Sequence, residues 1–65
     1  MIEIIGNNAG LVWTALSANN GQTGKGLKKA TKLKDKDLFA ALGWLAREGK
    51  IAIEDKGDDI VVTLL

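Results

Sequence analysis

The spacing of the apolar residues changes at Gly49, and this change limits the folds open to the chain. Before Gly49, apolar residues recur at intervals of three and four, which is typical of amphipathic helices. After it, Ile51 to Asp55 and Ile60 to Leu64 flank a turn-forming segment at 56–58, a pattern that predicts a β-hairpin. A chain that places its helices first and a hairpin last is expected to fold as an α+β domain.

Three helices are predicted before the hairpin. They are about Asn7 to Asn20, about Lys25 to Thr31 and about Asp35 to Glu48. Their expected inward faces are Ala9, Val12, Trp13 and Leu16 in the first helix, Leu27, Ala30 and Thr31 in the second, and Leu38, Ala41, Leu42 and Leu45 in the third. Asn7 or Asn8 is predicted to cap the first helix, and Gly49 is predicted to end the third.

The whole chain is predicted to form one domain over residues 1–65. A chain of this length buries only about 60% of the surface that its unfolded form exposes, which leaves little room for a deep pocket. Because the sequence has no Cys and no His, disulfides, thiolate zinc sites and hydrolytic triads are excluded. We therefore predict no enzyme activity, no catalytic or metal-binding residue, no cofactor and no small-molecule substrate.

Neither a membrane span nor a signal peptide is expected. The longest stretch without charge, Ile4 to Thr23, is interrupted by glycine and polar amide residues, and no basic segment precedes it. A cytoplasmic location is therefore predicted.

Charge is unevenly distributed along the chain, although the formal net charge is only +1. Residues 25–36 carry six lysines against one aspartate, whereas residues 54–59 carry four acidic residues against one lysine. A basic block and an acidic block on one small domain indicate a partner that is oriented by electrostatics.

The apolar positions also match a known motif. Leu27, Ala30, Leu33 and Leu38 occupy the apolar positions of a helix-turn-helix, and Leu42, Leu45, Gly49 and Ile51 match the end of its recognition helix at the entry to the wing. The chain therefore resembles a winged helix-turn-helix domain over residues 7–64. Through "AGLVWTAL", "LKKATKLKDKDLFAALGWLAREGKI" and its short final hairpin, it is similar to a small stand-alone bacterial winged-helix family of unknown function. The resemblance implies a three-helix bundle with a hairpin wing and a short strand at Gln22 and Thr23 that pairs with the hairpin.

The first functional hypothesis is nucleic-acid binding, as in a transcriptional regulator. In a helix-turn-helix, the first helix of the motif crosses the phosphate backbone of DNA and the second enters the major groove. The candidate nucleic-acid-binding residues are Lys25, Lys28, Lys29, Lys32, Lys34, Lys36 and Arg47, with Lys36 at the groove and the others at phosphates. The alternative is that these lysines only keep an exposed helix solvated. The small residues Ala40 and Gly43 form the centre of the outer face of the third helix, so sequence-specific readout is expected to be weak.

The second hypothesis is a protein-interaction module that binds a protein partner or forms a homodimer. Its candidate interface residues are Leu11, Ala15, Ala18, Phe39 and Trp44, and aromatic residues are enriched at interfaces. Trp44 has three alternative positions: partly buried between helix and wing, in a protein interface, or stacked on a nucleic acid.

The hairpin tip argues against ordinary DNA binding. It carries Glu54, Asp55, Asp58 and Asp59 with only Lys56, and these negative charges would repel phosphate. The tip is either a solvated turn or the complement of a lysine-rich face on a second subunit, and its carboxylates lack the EF-hand spacing for Ca²⁺. The GXXG stretch from Gly21 to Gly24 and the glycines around Lys25 are interpreted as turn formers rather than as a KH or phosphate-binding loop.

Overall fold

The computed structural model describes residues 2–65 as three helices and a three-stranded antiparallel sheet. The elements are α1 (Ile2–Ala18), β1 (Gln22–Thr23), α2 (Gly24–Thr31), α3 (Asp35–Arg47), β2 (Ile51–Asp55) and β3 (Ile60–Leu64). The strand order is β1-β3-β2, and Val62 of β3 lies opposite Gln22 on one side and Ile53 on the other. The predicted winged helix-turn-helix fold is confirmed, including its short additional strand.

One hydrophobic core joins the three helices to the sheet. It consists of Ala9, Val12, Leu16, Leu27, Leu38, Ala41, Leu42, Leu45, Ile51 and Val62. The predicted inward face of α3 is confirmed at all four positions. The second helix contributes only one large buried side chain, Leu27, so α2 depends on a single apolar contact point.

Two residues that were predicted to face the core lie at its edge. Trp13 is exposed, because the buried stripe of α1 runs through Val12 and Leu16 and Trp13 stands beside it. Ala30 is exposed because it borders a depression between α1 and α2 that no other side chain fills. The predicted inward positions of Trp13 and Ala30 are therefore wrong.

Helix α1 begins five residues earlier than the sequence indicated. The prediction that Asn7 or Asn8 caps it is wrong, since both residues lie inside the helix. Ile5 is partly buried and extends the apolar face toward the start of α1. Glu3 lies in the first turn, where a negative charge interacts favourably with the helix dipole. The third helix begins as predicted and ends one residue earlier, at Arg47.

Capping interactions fix the ends of α2 and α3. The Thr23 hydroxyl accepts a hydrogen bond of 3.0 Å from a backbone N–H in the first turn of α2, which caps that helix. Lys32 ends α2 in the left-handed conformation, with a φ of 60°. At the end of α3, Gly49 has a φ of 70°, and the N–H of Lys50 donates to the Leu45 carbonyl at 3.0 Å. This last arrangement is a Schellman motif, in which glycine is the usual left-handed residue.

Candidate interaction surfaces

Four lysines surround a shallow depression on the exposed side of α2. Lys25, Lys28, Lys29 and Lys32 line it together with Leu33, and these four lysines are called the lysine face. Lys28 Nζ lies 2.8 Å from Asp35 Oδ1, and this exposed ion pair connects α2 to the first turn of α3. The other three lysines make no salt bridge within residues 2–65. The lysine face therefore combines one paired cation with Lys29 and Lys32, which make no salt bridge, and with Lys25, whose charge helps to lower the pKa of Asp59 without a direct salt bridge.

The remaining predicted nucleic-acid-binding residues lie elsewhere. Lys34 is exposed at the start of α3. Lys36 borders a second depression, which it shares with Ile4 and Ile5 of α1. Arg47 is in the last turn of α3, eleven residues after Lys36 and therefore about 16 Å away along the helix. The structure thus groups four of the seven candidate cations around one depression and places Lys36 and Arg47 on other parts of the surface.

The outward side of α3 is small and apolar at its centre. Ala40 and Gly43 are exposed there, and Phe39 is more than half exposed beside them. Base edges are read by hydrogen-bonding side chains such as Arg, Asn and Gln. The centre of α3 has none of these groups, which limits what this helix can read in a DNA groove.

Two tryptophans flank a depression between α1 and α3. Trp13 and Trp44 are 39% and 38% exposed, and Gly6 and Gly10 border the same depression. Lys50 Nζ lies 5.6 Å from the centroid of the Trp13 ring, within the range of a cation–π interaction. These five residues are called the tryptophan surface. Trp13 and Lys50 were not among the candidate residues, because helical spacing assigned Trp13 to the core and no local pattern connects it with position 50.

A further depression lies between α1 and α2. Its lining includes three of the predicted interface residues, Leu11, Ala15 and Ala18, together with Ala30 and Thr31 of α2. Leu11 is half exposed at the edge of this depression. These three residues therefore border a depression that α2 does not cover, although Ala15 is partly buried against the core.

Acidic residues of the hairpin tip make local contacts. Glu54 Oε2 lies 2.9 Å from Lys56 Nζ. Asp55 Oδ1 accepts a hydrogen bond of 2.9 Å from the N–H of Gly57, the kind of contact by which aspartate stabilises a turn. The carboxylates of Glu54 and Asp55 therefore have partners within the hairpin and do not need a second molecule to contact them.

Asp59 connects the hairpin to the start of α2. Its Oδ1 accepts a hydrogen bond of 2.7 Å from the N–H of Ile60, and its Oδ2 accepts one of 3.3 Å from the N–H of Lys25. The Ile60 hydrogen bond has the largest effect on the pKa of Asp59 and lowers it below its usual value. The N–H groups of Lys25 and Gly24 also lower this pKa, against the opposing effect of desolvation. The charged carboxylate therefore holds the hairpin against the first turn of α2, where the helix dipole favours a negative charge.

A membrane-spanning helix and a metal-binding cluster are both absent from residues 2–65. No helix in this part of the chain is long and apolar enough to cross a membrane. The same residues contain no group of three or more acidic side chains arranged to hold a metal ion.

Both the sequence and the fold are similar to those of known proteins. The winged helix-turn-helix domain family DUF2582 matches residues 1–64. The solution NMR structure of protein BT2368 from Bacteroides thetaiotaomicron has 39% sequence identity to this chain and a TM-score of 0.84. That similarity covers 95% of this chain and 76% of BT2368. A comparison with curated proteins gave no match.

Proposed function

This chain belongs to the DUF2582 family of winged helix-turn-helix domains, and we propose that it acts as a protein-interaction module, homodimerisation included, rather than as a reader of DNA sequence. The observation that carries this proposal is the exposure of large apolar side chains on α1 and α3. They are Ile2, Ile4, Leu11 and Trp13 on α1, and Phe39 and Trp44 on α3. Leu11 borders one surface depression, and Trp13 and Trp44 border another; an exposed apolar patch on a soluble domain commonly marks an interaction site.

The helix that would enter a DNA groove has the composition of a protein interface. Phe39 and Trp44 stand beside the small residues Ala40 and Gly43 on α3. Tryptophan is enriched among the residues that dominate binding energy at protein interfaces. The small residues allow the backbone of a partner to approach closely. This surface therefore suits another protein better than the edges of bases.

We expect the domain to self-associate as its concentration rises from micromolar to millimolar, because association removes apolar side chains from water. Sedimentation equilibrium gives the mass, and ¹⁵N relaxation gives the rotational correlation time. The double variant Leu11→Glu/Trp44→Glu places a charge on the α1–α2 depression and another on the tryptophan surface. This variant is expected to remain monomeric over the whole concentration range.

Ile53→Glu is the matched control for this experiment. Ile53 is an exposed apolar residue of β2 and lines neither apolar depression, so its substitution is expected to leave self-association unchanged. The proposal would be contradicted by three results together. The wild-type domain would tumble as a monomer at every concentration, its tryptophan indole resonances would not shift on dilution, and it would have no protein partner.

The lysine face favours a second function, the binding of nucleic-acid phosphate. Three of its lysines make no ion pair within the described part of the chain, and like charges close together on a short helix are unfavourable until an anion neutralises them. Contacts to phosphate give affinity without sequence information. That mode of binding is compatible with the lack of base-reading groups at the centre of α3.

Under this second function, the affinity for a mixed-sequence duplex is expected to fall with salt. Neutralisation of three phosphates gives a slope of about −2.7 in a plot of log K against log salt concentration. The variant Lys28→Glu/Lys29→Glu is expected to lose binding, whereas Lys50→Glu/Lys56→Glu has the same net charge and is expected to retain most of it. An amide-resolved NMR titration at about 50 and about 200 mM salt locates the contact. Resonances that stay unchanged at both salt concentrations would rule out this function.

A further inference from the structure

One side of α1 carries a line of residues that the rest of the domain covers only in part, since Asn8 and Ala15 are partly buried and Ala15 packs against the core. They are Ile4, Asn8, Leu11, Ala15 and Ala18, here called the α1 seam, at alternating intervals of four and three. This spacing is that of the a and d positions of a coiled coil, through which two helices pack. The seam contains no charged residue, and Ile4 and Leu11 are 59% and 50% exposed.

The side chains of the α1 seam become smaller toward the C-terminal end of the helix. Ile4 and Leu11 are bulky and protrude into solvent. Ala15 and Ala18 border the depression of about 470 Å³ that Ala30 closes on the side of α2. The seam therefore offers a protruding side chain at one end and an open depression at the other.

Leu11 is the midpoint of this pattern. Ile4 precedes it and Ala18 follows it by seven residues each, a distance of about 10 Å along the helix. A two-fold axis at Leu11 therefore places Ile4 of one copy opposite Ala18 of a second copy, and the same contact occurs twice. This is the self-complementarity that a symmetric dimer interface requires.

We propose that a second copy of this chain occupies the α1 seam, packed antiparallel about a two-fold axis at Leu11. The inference rests on the proposed function and names the partner and the surface. In the antiparallel arrangement a bulky residue meets a small one at both ends, which gives the even close packing that protein interiors show. A parallel pair would place Ile4 against Ile4 and Ala18 against Ala18, so the two helices would diverge at one end. The antiparallel pair also sets the two helix dipoles in the favourable opposed direction.

Standard α-helix geometry is compatible with this arrangement. A seven-residue repeat on a straight α-helix drifts by about 20° per repeat, and two such helices pack at a crossing angle of about 20°. The helix is already fixed in the folded domain by Val12 and Leu16. Dimerisation therefore does not have to provide the energy for folding it.

The size of the contact predicts a weak dimer. A standard interface buries about 800 Å² on each partner, roughly a fifth of the 4398 Å² that this chain exposes. The α1 seam lies on one side of a 17-residue helix that is about 25 Å long, and it is smaller than a standard interface. A dissociation constant in the micromolar range is therefore expected.

Single charges on the two apolar surfaces test the location of the dimer interface. In sedimentation equilibrium of the full chain, Leu11→Glu is expected to weaken dimerisation by at least about 30-fold, the effect of losing an interface hot spot. Trp44→Glu is expected to leave it unchanged. Thermal melting confirms that each variant is folded. Loss of the dimer in Trp44→Glu but not in Leu11→Glu, or a monomeric wild type that binds another protein, would overturn the α1 seam and keep the proposed function. A monomeric wild type that binds no other protein would overturn both.

An exchange of side-chain size tests the direction and the register. Ile4→Ala removes the protruding side chain, and Ala18→Ile fills the depression that receives it. Each substitution alone is expected to weaken dimerisation, the first by a lost contact and the second by steric overlap. The double variant is expected to recover dimerisation to near the wild-type strength, because the bulky and the small side chain have only exchanged places. A double variant that is no better than the singles would overturn the antiparallel pairing.

Discussion

Leu27→Ala is expected to leave the domain largely unfolded at room temperature. The substitution removes the only large buried side chain of α2. Truncation of a buried leucine to alanine costs about 2–5 kcal/mol, and a core of this size rarely supplies more than about 3–5 kcal/mol of net stability. The eight residues of α2 are also fewer than the roughly 12–15 that an isolated helix needs. Without Leu27, α2 keeps only its caps, the exposed Lys28–Asp35 ion pair and the Asp59 contact, which are expected to be too weak to hold it.

Urea unfolding followed by far-UV circular dichroism measures this loss. Leu65→Ala is the matched control, because Leu65 is mostly exposed, and its substitution is expected to change the free energy of unfolding by no more than about 0.5 kcal/mol. A Leu27→Ala variant with a wild-type unfolding midpoint would show that α2 is held by its caps, at Thr23 and Lys32, rather than by Leu27.

The parts of the fold that the sequence predicted well are those where several local signals agree. Helix α3 has four apolar residues at helical spacing and a glycine at its end, and the structure buries all four and places Gly49 in the left-handed conformation. The start of α1 was predicted wrongly because local signals conflict there. Asn7 and Asn8 are strong capping residues, but Ile5 shares a depression with residues of α3. That tertiary contact favours a longer helix, and no capping rule contains it.

The candidate surfaces show the same division between local and long-range information. The lysine face follows from helical spacing within one segment, and the structure assembles it at α2. The tryptophan surface brings together Trp13, Trp44 and Lys50, which no sequence periodicity connects. From the sequence, Asp59 is only one of the acidic residues of the hairpin tip. Its contact with the N–H of Lys25 crosses 34 positions of the chain and exists only once the hairpin has packed against α2.

The triple variant Gly6→Ala/Gly10→Ala/Gly43→Ala is expected to be more stable than the wild type by about 2–3 kcal/mol. Glycine inside a helix costs about 1 kcal/mol relative to alanine. A Cβ at any of the three positions would have no atom within 4 Å outside its own helix turn, so no clash offsets this gain. In a domain of this size, such a gain raises the melting temperature by about 10–20 °C. Differential scanning calorimetry measures it directly.

Gly49→Ala is the control for this variant. It places a Cβ at a residue with a φ of 70°, where alanine is strained, and is expected to lower the melting temperature. A triple variant no more stable than the wild type would show that the three glycines already suit their helices and that α1 and α3 gain nothing from a better helix former at these positions.

A large gain in stability would have a functional meaning, because the glycines would then weaken the fold without a structural reason. Gly6 and Gly10 border the tryptophan surface and lie outside the α1 seam, so the triple variant is expected to dimerise like the wild type. Higher stability with unchanged dimerisation would show that neither the fold nor the contact between two copies needs glycine at positions 6, 10 and 43, and would direct further tests to the space that Gly6 and Gly10 leave beside Trp13 and Trp44.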